Sequence, residues 1–488
     1  MTRPSRSRLL GVLVSVAMVA SLAAVGTADL WIPGTGDQDP DLPSYSVAPS
    51  SMTLACAPGT EDPYDAGATV AAGAGWSSRG SVTTGATPSL TVSTRGASTA
   101  VPSGVMVVGQ GGGELRGLSL LPCTAPTSDQ WIASGSTVVG EDLLLLLSNP
   151  STVASQVSIT SYGASGKSPD APQSVNVPAG QVVVLAPATW FPDEERPAFH
   201  VVADGPGVSA WVQTSGLDGE VPTGVGAAPA TTAGTDLVLP GVSAGSGASV
   251  RLVAPGDKAA TVSLGVSDDS GVTPLAGAED LEVDPGVPLD VDLSGVAADP
   301  VSLVVSSDVP VVATADVRGT GSRWPDSDQQ WGSRTLVVPS TVTTGVDLPG
   351  AGDLSGLVEE QLGADVLRAT SVGTPSGGGD VKAQLVLSAP ADQGATVRIG
   401  GAGGDPAQSG GGAQSGGSGG PGGTSVEVPA GGSVTVDLPG AAGALSADHP
   451  VHVALVVTAG TPTGDQVAVW PLGTTGIDSL DVAVDVGP

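Results

Sequence analysis

Leu145-Leu-Leu-Ser-Asn-Pro150 is the first of three copies of one strand-and-turn pattern, and these copies decide the fold. The second copy is Val250-Arg-Leu-Val-Ala-Pro255, and the third is Gln384-Leu-Val-Leu-Ser-Ala-Pro390. In each copy an apolar strand runs into a proline, which cannot donate a hydrogen bond to a β-ladder and therefore ends the strand. Internal repetition on this scale indicates an architecture built from similar units.

The rest of each copy follows the same plan. After the proline comes a strand of alternating apolar and polar residues, then a turn and a returning strand. The turns are Val177-Pro-Ala-Gly180, Val283-Asp-Pro-Gly286 and Val428-Pro-Ala-Gly431. Alternation gives a strand one buried and one exposed face, and many short strands of this kind are typical of β-sandwiches. The sequence therefore predicts an all-β fold of tandem immunoglobulin-like β-sandwich units; the alternative is a single repeat-built β architecture such as a propeller.

The repeat also sets the predicted domain boundaries. A divergent β region over residues 52–128 comes first. The three β-sandwich units are expected over residues 129–222, 223–333 and 334–488.

Two segments lack the strand pattern. Residues 31–51 are rich in proline and acidic residues, which predicts a flexible stem. The second segment is an insertion in the third unit, residues 400–424, where Gly400–Gly423 holds 13 glycines among 24 residues. A segment of this composition cannot form a packed core, so we predict that it is disordered.

The composition excludes several classes of protein. The chain has 488 residues, of which 48 are acidic and 16 are basic, for a formal net charge of −32. A protein this acidic repels phosphates, which argues against a nucleic-acid partner. The 73 glycines and 41 prolines argue against long helices and coiled coils. The apolar fraction of 40% is nevertheless sufficient for buried cores.

The N-terminus carries a long apolar segment, the uncharged run from Leu9 to Ala28, which follows Arg3, Arg6 and Arg8. Twenty helical residues span about 30 Å, the thickness of a bilayer core, and the basic flank stays in the cytoplasm. We therefore predict a signal anchor over residues 1–30, a single transmembrane helix with the bulk of the chain outside the cytoplasm. The alternative is a signal peptide cleaved near Ala28, which gives a secreted protein.

The two cysteines, Cys56 and Cys123, lie in the part of the chain that is predicted to be exported. An even number of cysteines outside the cytoplasm favours a disulfide bond. Two isolated cysteines without nearby histidines cannot complete a tetrahedral zinc site. We therefore predict a Cys56–Cys123 disulfide bond and no metal or cofactor.

Several of these features occur together in one family. They are the N-terminal anchor, Cys56 followed by Ala-Pro-Gly59, the stretch Leu121-Pro-Cys123, Trp131, and the strand-turn text from Leu143 to Gly166. In this combination the chain resembles domain of unknown function 5719, an uncharacterised family of exported proteins from high-GC Gram-positive bacteria. The family has no assigned activity, so the resemblance implies a location and a fold class but no chemistry.

No set of residues in the sequence points to catalysis. Gly241-Val-Ser243-Ala-Gly245 and Gly416-Gly-Ser418-Gly-Gly420 match the nucleophile-elbow pattern, but neither has the strand-turn-helix context that this motif requires. His200, His449 and His452 occupy repeat positions that hold small or apolar residues in the other copies. We therefore predict no catalytic residue, no metal ligand and a non-enzymatic role.

Four residues form the candidate binding site. Trp324 and Trp331 bracket a polar stretch that contains Asp326 and Asp328. Exposed aromatic rings beside carboxylates and amides are typical of sites that hold sugar rings. The alternative is packing at a joint between two units, because tryptophan is mostly buried.

Together these features predict a membrane-anchored extracytoplasmic protein that acts as a non-enzymatic scaffold or binding module at the cell envelope. The expected partners are the membrane, through the N-terminal helix, and an envelope protein or glycan. The first alternative is a glycan-binding envelope protein. The second is a cell-wall hydrolase whose paired carboxylates cannot be recognised without a fold.

Overall fold

The computed structural model describes residues 44–47, 51–65, 68–85, 87–93, 103–243, 247–296, 299–368, 381–401, 423–473 and 480–483, and these confirm an all-β fold. The predicted N-terminal helix, most of the stem and most of the 400–424 insertion lie outside these residues. No helix in the described ranges is long and apolar enough to cross a membrane. The chain separates into one compact unit, Ser50–Ile477, and a second that contains the antiparallel pair of β1 (Ser44–Val47) and β35 (Leu480–Ala483).

The larger unit begins with the N-terminal β region, eight strands long. It consists of β2 (Ser51–Ala55), β3 (Gly59–Glu61), β4 (Thr69–Ala72), β5 (Ala74–Ser77), β6 (Val82–Thr83), β7 (Ser89–Ser93), β8 (Gly104–Gln110) and β9 (Gly117–Pro122). The predicted disulfide bond between Cys56 and Cys123 is confirmed, and both half-cystines are fully buried. It links the end of β2 to the end of β9.

Three modules follow the N-terminal β region. Module 1 consists of β10 (Asp129–Ile132), β11 (Glu141–Asn149), β12 (Ser155–Gly163), β13 (Gly166–Lys167), β14 (Gln173–Val177), β15 (Gln181–Leu185), a 3-10 helix (Pro187–Thr189), β16 (Ala198–Ala203), β17 (Ser209–Asp218), β18 (Val221–Pro222) and β19 (Gly226–Pro229). Module 2 consists of β20 (Gly234–Val242), β21 (Ser249–Val253), β22 (Ala260–Asp268), β23 (Gly271–Pro274), β24 (Leu281–Val283), β25 (Leu289–Asp292), β26 (Val301–Arg323) and β27 (Gln330–Val337).

Module 3 is the last of the three. It consists of β28 (Val342–Leu348), α1 (Ala351–Leu362), α2 (Ala364–Arg368), β29 (Val381–Ser388), β30 (Ala395–Gly401), β31 (Thr424–Val428), β32 (Ser433–Asp437), β33 (Gly443–Ala459) and β34 (Gln466–Leu472). The two helices meet at Gly363, whose φ of +91° suits glycine and ends α1.

The three modules share one pattern of strand pairing, which confirms the internal repeat. In module 1 an outer sheet has the order β10-β16-β12-β14, and a second sheet, the blade, has the order β15-β11-β17-β19. Modules 2 and 3 repeat both sheets with the corresponding strands. Alternate residues of the outer sheet and the blade face each other across one apolar core in each module, as the alternating sequence pattern predicts.

The chain passes from the outer sheet to the blade near a marker proline. In module 2 the single strand β26 pairs with β20 and β22 up to Val311, and with β21 and β27 from Val312 onward. In module 1 a turn divides the equivalent strand into β16 and β17. The immunoglobulin-like sandwich is not confirmed, because the blades of neighbouring modules contact one another around a common centre instead of forming separate two-sheet units.

The blades are arranged like those of a propeller, as the alternative prediction had it. The N-terminal β region supplies a three-stranded blade, β5-β8-β9, and each module supplies a four-stranded one. The innermost strands β9, β19, β27 and β34 are neighbours around the centre. Their contacts include hydrogen bonds from the Ala227 amide to Ser119 Oγ (3.0 Å) and from Thr335 Oγ1 to the Val467 carbonyl oxygen (2.6 Å).

Apolar packing closes the ring. Leu118 and Leu120 on β9 belong to the same core as Leu455 and Trp470 of module 3. The first blade therefore packs against the last module. Close approach at the centre needs small residues: a β-carbon on Gly332 would lie 2.5 Å from the Thr223 carbonyl oxygen of the neighbouring blade.

Candidate functional site

The predicted binding residues lie at the turn between β26 and β27. The Trp324 amide donates a hydrogen bond to the Gln329 carbonyl oxygen at 2.8 Å, which closes the turn. Asp326 has a φ of +57°, a conformation that aspartate adopts more readily than most residues. The structure therefore brings Trp324, Trp331, Asp326 and Asp328 to one hairpin tip, which we call the tryptophan hairpin.

The two tryptophan rings contact each other. Their centroids lie 4.3 Å apart with an angle of 55° between the planes, and both side chains are partly exposed. Asp326 and Asp328 are exposed, and Asp328 Oδ1 lies 3.2 Å from a guanidinium nitrogen of Arg323. The hairpin thus presents a small aromatic surface with carboxylates beside it.

Arg116 lies behind this surface, where several blades meet. Its guanidinium carbon lies 5.1 Å from the Trp331 ring centroid, and its nitrogens donate hydrogen bonds to the carbonyl oxygens of Gly332 and Thr463. The residue is 1% exposed, and burial lowers the pKa of its guanidinium to about 10. No described residue accepts a hydrogen bond from its Nε. The sequence does not distinguish Arg116 from other arginines, because its contacts come from segments far apart in the chain.

A second site, which the sequence did not predict, is a cleft between modules 1 and 2. It has a volume of about 270 Å³. One wall is formed by the loop before β11 and by Glu195, and the floor by the blade of module 2. The lining residues are Ala133, Ser134, Gly135, Ser136, Val138, Glu141, Glu195, Ser249, Arg251, Asp290, Thr314, Asp316 and Arg318.

A buried ion-pair network underlies the cleft. Arg334, whose side chain is 2% exposed, donates hydrogen bonds to Glu141 Oε2 at 2.7 Å and to Asp316 Oδ2 at 2.6 Å. Burial alone would raise the pKa of Asp316, but Arg334, with Arg318 and Arg251, holds that pKa below its ordinary value. Asp316 and Arg334 therefore remain charged at neutral pH.

The two arginines that line the cleft differ in how they are held. Arg251 binds Asp290 through two nitrogens, at 2.7 and 2.9 Å, and also donates to the carbonyl oxygens of Gly135 and Pro197. Among the described residues, Arg318 makes only long contacts, 3.4 Å to Glu141 and 3.5 Å to Asp316, and its side chain is 41% exposed. Arg318 therefore keeps hydrogen-bond donors for another group.

The described residues hold no group of three or more His, Cys, Asp or Glu side chains placed to bind a metal ion. The histidines make other contacts. His200 stacks on Trp131, with ring centroids 4.3 Å apart, and its Nε2 lies 3.1 Å from Asp129. His452 is hydrogen-bonded through Nδ1 to the Ser340 carbonyl oxygen at 2.9 Å, and burial lowers its pKa.

The comparison with known families bears on both sites. A model of a family of unknown function, domain of unknown function 5719, matches residues 78–346, more than half of the chain. The chain belongs to this family. The matched residues include the tryptophan hairpin and every residue that lines the cleft, but not Cys56. No curated protein matches the chain, so the membership assigns no activity.

Proposed function

We propose that this member of the family is a membrane-anchored extracytoplasmic protein that acts as a non-enzymatic scaffold or binding module at the cell envelope. The observation that carries the proposal is the buried disulfide bond between Cys56 and Cys123. Such bonds persist in oxidising compartments and are rare in the cytoplasm. The apolar run Leu9–Ala28, preceded by three arginines, supplies the means of export.

Location is tested first, on intact cells that produce the full chain. External protease should digest the protein without lysis, and a high-salt wash should leave it in the membrane fraction. N-terminal sequencing should find the chain uncleaved at Ala28. A cleaved and released chain would replace the anchor with a signal peptide, and protection from protease until lysis would refute the proposal.

The scaffold or binding role is supported by the closed ring. Blades that pack on one another around a full circle hold surface hairpins in fixed relative positions, which suits the presentation of a binding surface. Crosslinking on intact cells, followed by partner identification, should recover an envelope protein or glycan. The matched control is the same chain with both hairpin tryptophans changed to alanine. Recovery of cytoplasmic proteins only would contradict an envelope role.

A glycan-binding role at the tryptophan hairpin is the second candidate. The observation that favours it is the partly exposed pair of rings, 4.3 Å apart, beside Asp326 and Asp328. On a glycan array, binding should be lost when Trp324→Ala and Trp331→Ala are combined, and it should be retained in part when both become phenylalanine. Binding that survives the alanine pair would exclude this site.

The non-enzymatic part of the proposal has its own test. Purified cell wall incubated with the protein should release no soluble fragments. Release that disappears after substitution of a single aspartate or glutamate would establish a hydrolase instead, since two carboxylates carry most glycoside hydrolysis.

A further inference from the structure

Each module turns one face of its blade toward the part of the chain that precedes it. The polarity of this face differs between the modules. In module 1 this face carries Leu144, Leu146 and Trp211, which pack on the N-terminal β region. In module 3 it carries a similar apolar set, which packs on module 2, with Val386, Ala454, Val456 and Val469. In module 2 the same face is mixed: Val253 and Val312 pack on module 1, whereas the charged part, with Arg251 and Asp316, borders the cleft.

Strand register makes the comparison residue by residue. Arg251 pairs with Thr314 and Asp290; the equivalent Val386 of module 3 pairs with Ala454 and Thr435. In the same way Asp316 corresponds to Val456, and Arg334 corresponds to Val467. At these positions module 3 therefore has apolar residues and module 2 has ion-paired ones.

The charged residues are not required for packing. Taking ions out of water costs free energy, and apolar residues of similar volume often replace a buried ion pair without loss. Ser134 adds to this cost: it lines the cleft, is 3% exposed, and its Oγ has no hydrogen-bond partner among the described residues. Because apolar residues could form this contact, the polar residues of the cleft indicate a binding site.

We propose that the cleft between modules 1 and 2 binds an uncharged, hydroxyl-rich ligand, such as a segment of a glycan. This proposal rests on the role as an envelope binding protein and assigns a site separate from the tryptophan hairpin. The cleft volume of about 270 Å³ is close to the lower limit, about 300 Å³, of sites that hold small molecules.

The charges of the cleft select this class of ligand. Four carboxylates and two guanidinium groups line it, and the whole chain has a net charge of −32, so an anion is disfavoured. Asp290, Asp316 and Glu141 are already paired with arginines, which leaves little attraction for a cation. A hydroxyl group donates to one such side chain and accepts from another, so it suits a surface of paired charges.

Arg318 is the side chain best placed to hold the ligand. It is half exposed at the cleft, its contacts with Glu141 and Asp316 are long, and its fork of donors is not saturated. Thr314 and Ser249 lie on the same face of the blade. The ligand would therefore contact a guanidinium group and the hydroxyl side chains beside it.

The test is isothermal titration calorimetry on the full chain with neutral hexose and pentose oligosaccharides. Uronic-acid and amino-sugar oligomers of equal length serve as the anionic and cationic probes. At least one neutral oligosaccharide should bind, and the charged probes should bind more weakly. Failure of every neutral probe, or tighter binding of either charged probe, would overturn the proposal.

Variants locate the binding. Arg318→Ala should weaken it at least tenfold, and Ser249→Phe, which fills the cleft without changing its charge, should do the same. Arg323→Ala, another exposed arginine, should have no effect, and the Trp324→Ala/Trp331→Ala pair separates binding at the tryptophan hairpin from binding at the cleft. Thermal unfolding establishes that each variant is folded. Binding that only the tryptophan pair abolishes would overturn the cleft and support the hairpin, whereas a cytoplasmic location would refute the envelope role without affecting cleft binding.

Discussion

Module 2 and module 3 have the same strand order, yet several equivalent positions on their blades turn opposite chemistry toward the module that precedes them. Module 3 uses Val386 and Val456 where module 2 uses Arg251 and Asp316. The backbone therefore does not dictate the polarity of this contact. Apolar residues therefore satisfy the packing at these positions, and we have proposed that the charged residues of module 2 serve ligand binding instead.

The largest effect on stability is expected when the buried valine of module 3 is replaced with the arginine that module 2 has at the equivalent position. Val386 is fully buried in an apolar cluster, so Val386→Arg buries a charge with no partner. We expect a loss of about 5 kcal/mol in the free energy of unfolding or failure to fold. Urea unfolding measures it, with Val386→Leu as the control for side-chain size. A loss below about 2 kcal/mol would contradict the difference in polarity between the module 2 and module 3 contacts.

The next largest effect comes from breaking the network in module 2. Arg334→Ala leaves Asp316 and Glu141 without their principal partner, and we expect a loss of about 3–5 kcal/mol. The matched control is Val467→Ala at the equivalent position of module 3, which should cost about 1 kcal/mol. If urea unfolding shows equal losses in the free energy of unfolding for the two variants, the charge of Arg334 does not stabilise the network.

Asp316 and Arg334 also make the free energy of unfolding depend on pH, which is a smaller effect. The pKa of Asp316 is held below its ordinary value, so its contribution is fully present above the unfolded-state pKa of about 4 and is lost as pH falls through the folded-state pKa. Replacing both partners with those of module 3, Asp316→Val with Arg334→Val, should weaken this dependence. Urea unfolding at pH 7, 4 and 3 measures it; parallel stability curves would contradict the ion-pair account.

Arg318 should have the smallest effect on stability. Its side chain is 41% exposed and its ion contacts are 3.4–3.5 Å long, so Arg318→Ala should change the free energy of unfolding by less than about 1 kcal/mol. Arg323 forms an exposed ion pair at the tryptophan hairpin, and Arg323→Ala should change the free energy of unfolding by a similarly small amount. A loss of 3 kcal/mol for Arg318→Ala alone would make it a structural residue rather than a ligand-binding one.

The sequence predicted those features that depend on local pattern. The alternating strands, the repeat around Pro150, Pro255 and Pro390, and the Cys56–Cys123 bond all follow from residue spacing or from the expected compartment. The β-strands and the disulfide bond are confirmed; strand formation is largely decided by neighbouring residues.

The features that were missed depend on contacts between distant segments. Immunoglobulin-like sandwiches were expected because short alternating strands are compatible with many sheet arrangements. The alternating pattern does not determine which strands pair. The cleft joins residues from Ala133 to Arg318, and Arg116 contacts Trp331, Gly332 and Thr463, which lie far from it in the sequence. The repeat held one usable signal: Arg251 stands in the copy of the pattern where the others have Leu146 and Val386.

Exchange of the charged residues of module 2 for their module 3 equivalents shows whether they serve binding or folding. The variant combines Arg251→Val, Asp290→Thr, Asp316→Val and Arg334→Val with Glu141→Gln, so that no carboxylate of the network is left without its arginine. Its free energy of unfolding and its affinity for the neutral oligosaccharide that binds the native chain are measured together. We predict a stability within about 2 kcal/mol of the native chain and an affinity at least tenfold lower. A loss of about 5 kcal/mol, or unchanged affinity, would contradict the claim that the charged cleft serves binding rather than folding.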